Sequence, residues 1–114
     1  MENCIFCRIA AKEIPAEVVW EDENVMAFRD IDPVAPTHVL VIPKRHIQSS
    51  MDLTEADAGL LLDVFRAASE VARLEGREET GIRILTNVGP DAGQDVLHMH
   101  FHVLGGIRMG WPPC

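Results

Sequence analysis

Positive charge is in short supply in this chain. Ten lysines and arginines stand against eighteen aspartates and glutamates, for a net charge of −8 over 114 residues. A polyanion such as nucleic acid is excluded as the main partner, because lysine and arginine drive binding to a phosphate backbone. One small phosphate held locally is still compatible with this balance. Long apolar runs are missing too, so no membrane span is expected. No charged-then-apolar signal segment opens the chain, and a cytoplasmic location is expected. Cysteine is sparse and odd in number, at three. In a cytoplasmic chain this argues against a disulfide framework and leaves metal or redox roles for the Cys4/Cys7 pair. Internal repeats, low-complexity segments and linkers are absent, as is any serine or cysteine in a recognised nucleophile motif. The length suits one domain, residues 1–114, with room for one core.

What is present reads as alternating short elements. Asn3 to Ala11 suits a short helix capped by Asn3, with Phe6, Ile5 and Ile9 on its apolar side. It stops before Ile14-Pro15, since the residue preceding proline avoids the helical region. Val18-Val19-Trp20 and Val25 to Ile31 read as two strands around a polar turn, with Asp32-Pro33 closing the second. His38 to Ile42 is a dense apolar run typical of a buried central strand. Thr54 opens the only long helix, with Glu55 and Asp57 in its first turn, where the helix dipole favours acids. Leu61, Val64, Phe65, Ala68, Val71 and Ala72 form its core stripe, and Gly76 suits its end. Ile82 to Asn87 reads as a fourth strand. A turn-forming loop, Gly89 to Gln94, delivers the chain into a fifth, which Gly105-Gly106 ends. The order predicts an α+β domain on a mostly antiparallel sheet of about five strands, with one short N-terminal and one long helix.

The fifth strand carries the chemistry. In His98-Met99-His100-Phe101-His102-Val103-Leu104, three histidines alternate with apolar residues. Alternation at a period of two sets the histidines on one face and Met99, Phe101 and Val103 on the other. The outer pair would lie about 13 Å apart along a strand, too far to share one metal, so the row implies at least two jobs. A row without chemistry is the plainer alternative, and it suits a single histidine better than three in alternation. His38 and His46 flank the central strand and complete the five histidines of the chain. An imidazole can attack phosphorus when a neighbour fixes its tautomer. Gly89 and Gly93 permit the close backbone approach by which N–H groups hold a phosphate. Cys4-x-x-Cys7 is half of a common zinc site, but its spacing alone equally allows a core thiol.

The histidine row resembles the signature of the histidine triad nucleotide-binding family. The similarity extends to Phe28-Arg29-Asp30-Ile31-Asp32-Pro33, to Ala35 through Lys44, to Ala92-Gly93-Gln94, and to Gly105 through Pro113 with its Trp111-Pro112-Pro113. These stretches resemble the Hint branch. The resemblance implies the family's HIT-like fold and a homodimer in which two sheets join into one, with the tail 107–114 packing in the dimer. It implies a purine nucleotide of AMP type as substrate, hydrolysis of nucleoside phosphoramidates, and no organic cofactor.

By motif position, His100 resembles the nucleophile that becomes nucleotidylated. His102 would hold the phosphate and its leaving-group side, and His38 would sit behind His100 and help set its protonation. Asn87, Gly93 and the backbone near Asp95 would line the phosphate site, and Asp30 would bind the ribose. Phe6, Ile9, Ile14 and Ile31 would sandwich the purine, and Trp111 would reach the other subunit's site. Asp95 is a departure, since the relatives it most resembles carry serine there, and an ionised carboxylate cannot donate to a phosphate. Two alternatives share the row: a dinucleoside polyphosphate hydrolase, and a nucleotide-binding adaptor with no enzymatic role. The Trp-Pro-Pro tail favours the Hint branch. The cysteine pair points instead to zinc-bearing members of the wider superfamily, in which Cys4, Cys7, His46 and His98 would hold a structural zinc ion.

Overall fold

The apolar run around Val39 becomes the middle of the sheet, because every residue of its strand finds cover on both faces. In the computed structural model, which describes residues 3–113, this strand is β3, Thr37–Pro43, and all seven of its residues are buried. Met1, Glu2 and Cys114 lie outside the described residues, so the expected tail is seen only as far as Pro113. β1 (Val18–Glu21), β2 (Val25–Arg29), β4 (Ile82–Leu85) and β5 (Phe101–Gly105) complete a sheet of order β1-β2-β3-β5-β4. Each neighbouring pair is antiparallel. The expected α+β class and five-stranded sheet are observed, with a short helix α1 (Ile5–Ala10) and a long one, α2 (Ala58–Leu74).

Strand periodicity divides the core in two. Val25, Ala27, Val39, Val41, Met99, Phe101 and Val103 face α2, where Val64, Ala67, Ala68 and Val71 meet them. Met26, Phe28, Leu40 and Ile42 face the other way, onto Cys4, Phe6 and Ile9 of the α1 region. The central strands therefore read as continuous apolar runs rather than as alternation, as strands buried on both faces do. In α2, Phe65 departs from the expected stripe. It is 47% exposed, and its ring meets that of Phe101 in a T-shaped pair at 5.9 Å between centres.

Several element ends differ from the sequence expectation. β2 stops at Arg29, where its pairing with Val39 ends, rather than at Ile31. β4 stops at Leu85 rather than Asn87, because β5 offers it no partner before His102. Two 3-10 turns, Ser50–Asp52 and Glu55–Asp57, precede α2. Thr54 caps the second of these turns, in a reciprocal capping box with Asp57. α1 is capped by Cys4, whose sulfur accepts from the Cys7 backbone N–H, and not by Asn3. The hydrogen-bonded part of the histidine strand begins at Phe101 and runs into Gly105, so His98 and His100 lie on its extended approach. Gly106, at φ +94, turns the chain away.

Candidate active site and metal centre

Register brings the histidines together. In β3 and β5, Leu40 pairs with His102 and His38 with Leu104, so His38 and His102 are diagonal neighbours on the face away from α2. The alternation survives ahead of the strand. Met99 packs in the α2 core, while His98 and His100 lie edge-on to Phe6, with ring centres at 5.9 and 5.0 Å. The Met99 backbone N–H donates to the Ile47 carbonyl at 2.6 Å, which holds this approach segment in place. The Thr86 hydroxyl donates to the His100 carbonyl at 2.7 Å.

Backbone partners assign the ring protons. His100 Nδ1 lies 2.7 Å from the carbonyl oxygen of His98, which can only accept. Nδ1 therefore carries the proton, and the lone pair of His100 is on Nε2. The Val34 backbone N–H donates to His38 Nδ1 at 3.1 Å, so the His38 proton is on Nε2. His38 Nε2 in turn lies 2.9 Å from His102 Nδ1, which leaves the His102 proton on its own Nε2. Burial, then the neighbouring His100 and His38, hold His102 below the usual imidazole range, against an opposing pull from Asp30 and Asp95. The result is one buried ring with a bare nitrogen and a second, half-buried ring with an N–H. His38 is bonded to His102 rather than set behind His100; the group behind His100 is the His98 carbonyl.

The other expected residues fall as follows. Asp30 Oδ2 is 3.3 Å from His38 Nε2, while its Oδ1 accepts from the Asp32 backbone. Ile9 and Ile14 line one cleft of about 180 Å³ together with Met26 and Val18. Phe6 is buried beneath the histidines, and Ile31 is fully exposed, outside the lining of that cleft. Asn87 is half-buried beyond β4, and Gly93 is exposed at φ +80. Asp95 Oδ1 is 3.8 Å from His100 Nε2. Trp111 is 83% exposed. A residue the sequence did not single out is Gln94. Its side chain accepts from Gly89 N–H at 3.0 Å and donates to the carbonyls of Gln48 and Val96 at 2.7 and 3.1 Å, closing the glycine loop.

Cys4, Cys7, His46 and His98 bring their ligand atoms within 4.8 Å of one another. Cys7 Sγ is 3.2 Å from His46 Nδ1 and 3.5 Å from His98 Nδ1, and Cys4 Sγ is 3.4 Å from His98 Nδ1. A tetrahedral zinc ion would space its sulfur and nitrogen ligands about 3.5 Å apart, so the donor set fits one. His98 Nε2 donates to the Pro43 carbonyl at 2.8 Å, which leaves Nδ1 as the free ligand atom. Burial first, then Cys4, push the Cys7 thiol up, and burial pulls His98 down. Cys4 and Cys7 are free thiols, with no disulfide between them.

The fold is thus an α+β domain whose antiparallel sheet carries histidines along one face of its central strands. The HIT domain model matches residues 11–109, and the chain belongs to that family. A 14 kDa zinc-binding protein of Zea mays is 47% identical over 111 residues, covering 96% of this chain and 86% of its own. Protein HitA of Neisseria gonorrhoeae is 44% identical over 105 residues, covering 92% of this chain and 97% of its own. The crystal structure of a HIT family hydrolase from Legionella pneumophila Philadelphia 1 aligns with a TM-score of 0.96 at 51% identity, covering 98% of this chain and all of that one. Among the described residues, no helix is long and apolar enough to cross a membrane.

Proposed function

We propose that this chain is a hydrolase of the Hint branch, cleaving the P–N bond of purine nucleoside phosphoramidates. The observation that carries this reading is the bare Nε2 of His100, fixed by the 2.7 Å bond from its Nδ1 to the His98 carbonyl. A ring held in that tautomer is ready to attack phosphorus. Nε2 forms the new bond to the α-phosphorus, and the bond to nitrogen breaks. The nitrogen leaves as the amine, taking a proton from solvent, while His102 Nε2–H donates a hydrogen bond on the leaving-group side of the phosphate. Water then attacks the nucleotidyl-histidine, giving its hydroxyl to phosphorus and its proton back to solvent, and AMP is released.

The rest of the machinery follows from the same reading. Asn87, Gly93 and the backbone at Asp95 hold the phosphate, and Asp30 takes the ribose. The cleft at Ile9 and Ile14 takes the flat base, with Phe6 beneath and Ile31 at its margin. A zinc ion in the Cys4, Cys7, His46 and His98 set is structural, since four protein ligands leave no position open for a reacting water. The set tethers α1, and with it Phe6, under His100. The chain works in the cytoplasm as one domain and forms a homodimer through the unpaired edge of β4. Trp111 and the rest of the 107–114 tail reach the partner's site. The test is a fluorogenic AMP amide. The wild type should release amine and AMP, and rapid quenching should trap AMP on His100. Absence of turnover, or full turnover by His100→Ala, overturns the reading.

A further inference from the structure

One ionisable group outside the histidine row faces the attacking nitrogen. The Asp95 carboxylate is 3.8 Å from His100 Nε2, and its side chain is 83% exposed where His100 is buried. Among the described residues no lysine or arginine pairs with it. The same side chain forms a wall of a cleft of about 410 Å³ that runs towards the metal ligands. Ile5, Val96 and Leu97 give this cleft an apolar lining, and Asn3 and Gln48 add neutral polar groups. Ile5 and Leu97 are 47% and 57% exposed, so the apolar walls are open to an incoming chain.

We propose that Asp95 and this cleft form the leaving-group subsite and select by charge. The subsite takes amines whose substituent carries a positive charge on an apolar stem, and it rejects those that carry a negative charge. The proposal rests on the phosphoramidase reading and names the substrate class within it. Attack requires phosphorus to come within about 3–3.5 Å of Nε2. Whatever phosphorus carries besides the nucleoside then lies a few ångströms from the carboxylate. An ammonium group on that substituent is attracted and a carboxylate or phosphate is repelled, while the stem covers the apolar walls. At so exposed a position each interaction is worth a factor of a few, and the two multiply when opposite charges are compared. Asp95 takes no part in the bonds made and broken; it acts on which amine is presented.

The experiment uses three AMP amides of equal chain length, with the distal end of the amine an ammonium, a methyl or a carboxylate group. Wild-type kcat/KM should favour the ammonium over the carboxylate substrate by about tenfold, and high salt should shrink the ratio. Asp95→Asn should bring the ratio close to unity, and Asp95→Lys should invert it. Equal wild-type rates on all three, or a preference that survives both substitutions, overturns the subsite while the turnover itself upholds the phosphoramidase. Release of AMP from none of the three overturns the phosphoramidase reading and the subsite together.

Discussion

His98 serves two sites at once. Its Nδ1 faces the thiols of Cys4 and Cys7, its Nε2 is bonded to the Pro43 carbonyl, and its own carbonyl fixes the His100 ring. Changing His98→Ala should therefore lower both metal content and turnover, measured by elemental analysis and an AMP amide assay on the same sample. His100→Ala should cost more than about a thousandfold in turnover and leave the circular dichroism spectrum and metal content unchanged. The lowered pKa of His102 has a sign that can be followed. The folded protein binds this proton less readily than the unfolded chain, so acidification through about pH 6.5 favours unfolding. Denaturant midpoints should fall as pH drops below that value, and more shallowly in His102→Gln. The identities of these histidines were legible from residue types and spacing. Their tautomers were not, because backbone carbonyls and N–H groups set them, and those carry no signal in side-chain sequence. For the same reason the capping sulfur of Cys4 was missed: Asn3 is the better cap by residue type, but the position of the thiol decides.

At the scale of elements, the end of α2 is tied to the sheet by a polar cluster. Glu75, the C-cap residue, receives two bonds from Arg29 of β2, both at 2.8 Å, and a third from Thr37 of β3 at 3.2 Å. Arg77 donates to the same Thr37 hydroxyl at 2.9 Å. The bonds from Arg29, opposed by partial burial, hold the Glu75 carboxyl below its usual range. The stability this gives is present above about pH 4.5 and is lost as pH falls through the lower folded value. Glu75→Gln should cost about 1–3 kcal/mol in urea unfolding at neutral pH, with the gap from wild type closing in acid. On the proposed reading, a zinc ion held by Cys4, Cys7, His46 and His98 is the second tether. Cys4→Ser with Cys7→Ser should abolish metal binding and lower thermal stability by several degrees, because α1 has only six residues of its own to hold it. Sequence periodicity placed all five strands and both helices. It placed the ends of β2, β4 and β5 less well, since a strand ends where its partner ends, and that is a property of two segments. The row at residues 98–100 alternates correctly but has no ladder, because its backbone bonds go to the Ile47 carbonyl and Thr86 hydroxyl instead.

At the scale of the whole molecule, β4 pairs only with β5 among the described residues, so its outer edge has no strand partner there. An open edge is a site for pairing with a second strand. Light scattering should give twice the 12.7 kDa of one chain, and a monomer at working concentration would rule out the shared sheet. Deleting residues 111–114 should alter leaving-group preference more than nucleotide affinity, read from a substrate panel and AMP titration. A subunit's contribution to its neighbour's site would leave no mark in one chain's periodicity. The strand order also has a consequence for biosynthesis. β5 is the last strand to leave the ribosome, yet it belongs between β3 and β4. Until it arrives, the nascent sheet has a slot at its centre, with two sticky margins facing each other across it. Its pairing with β3 closes a loop of more than sixty residues, as in His38 to His102, and such closures are slow. The vulnerable species is therefore the chain that has made β1 to β4 but not yet β5. A polypeptide stopped at His100 should aggregate and should bind holding chaperones that the complete protein ignores.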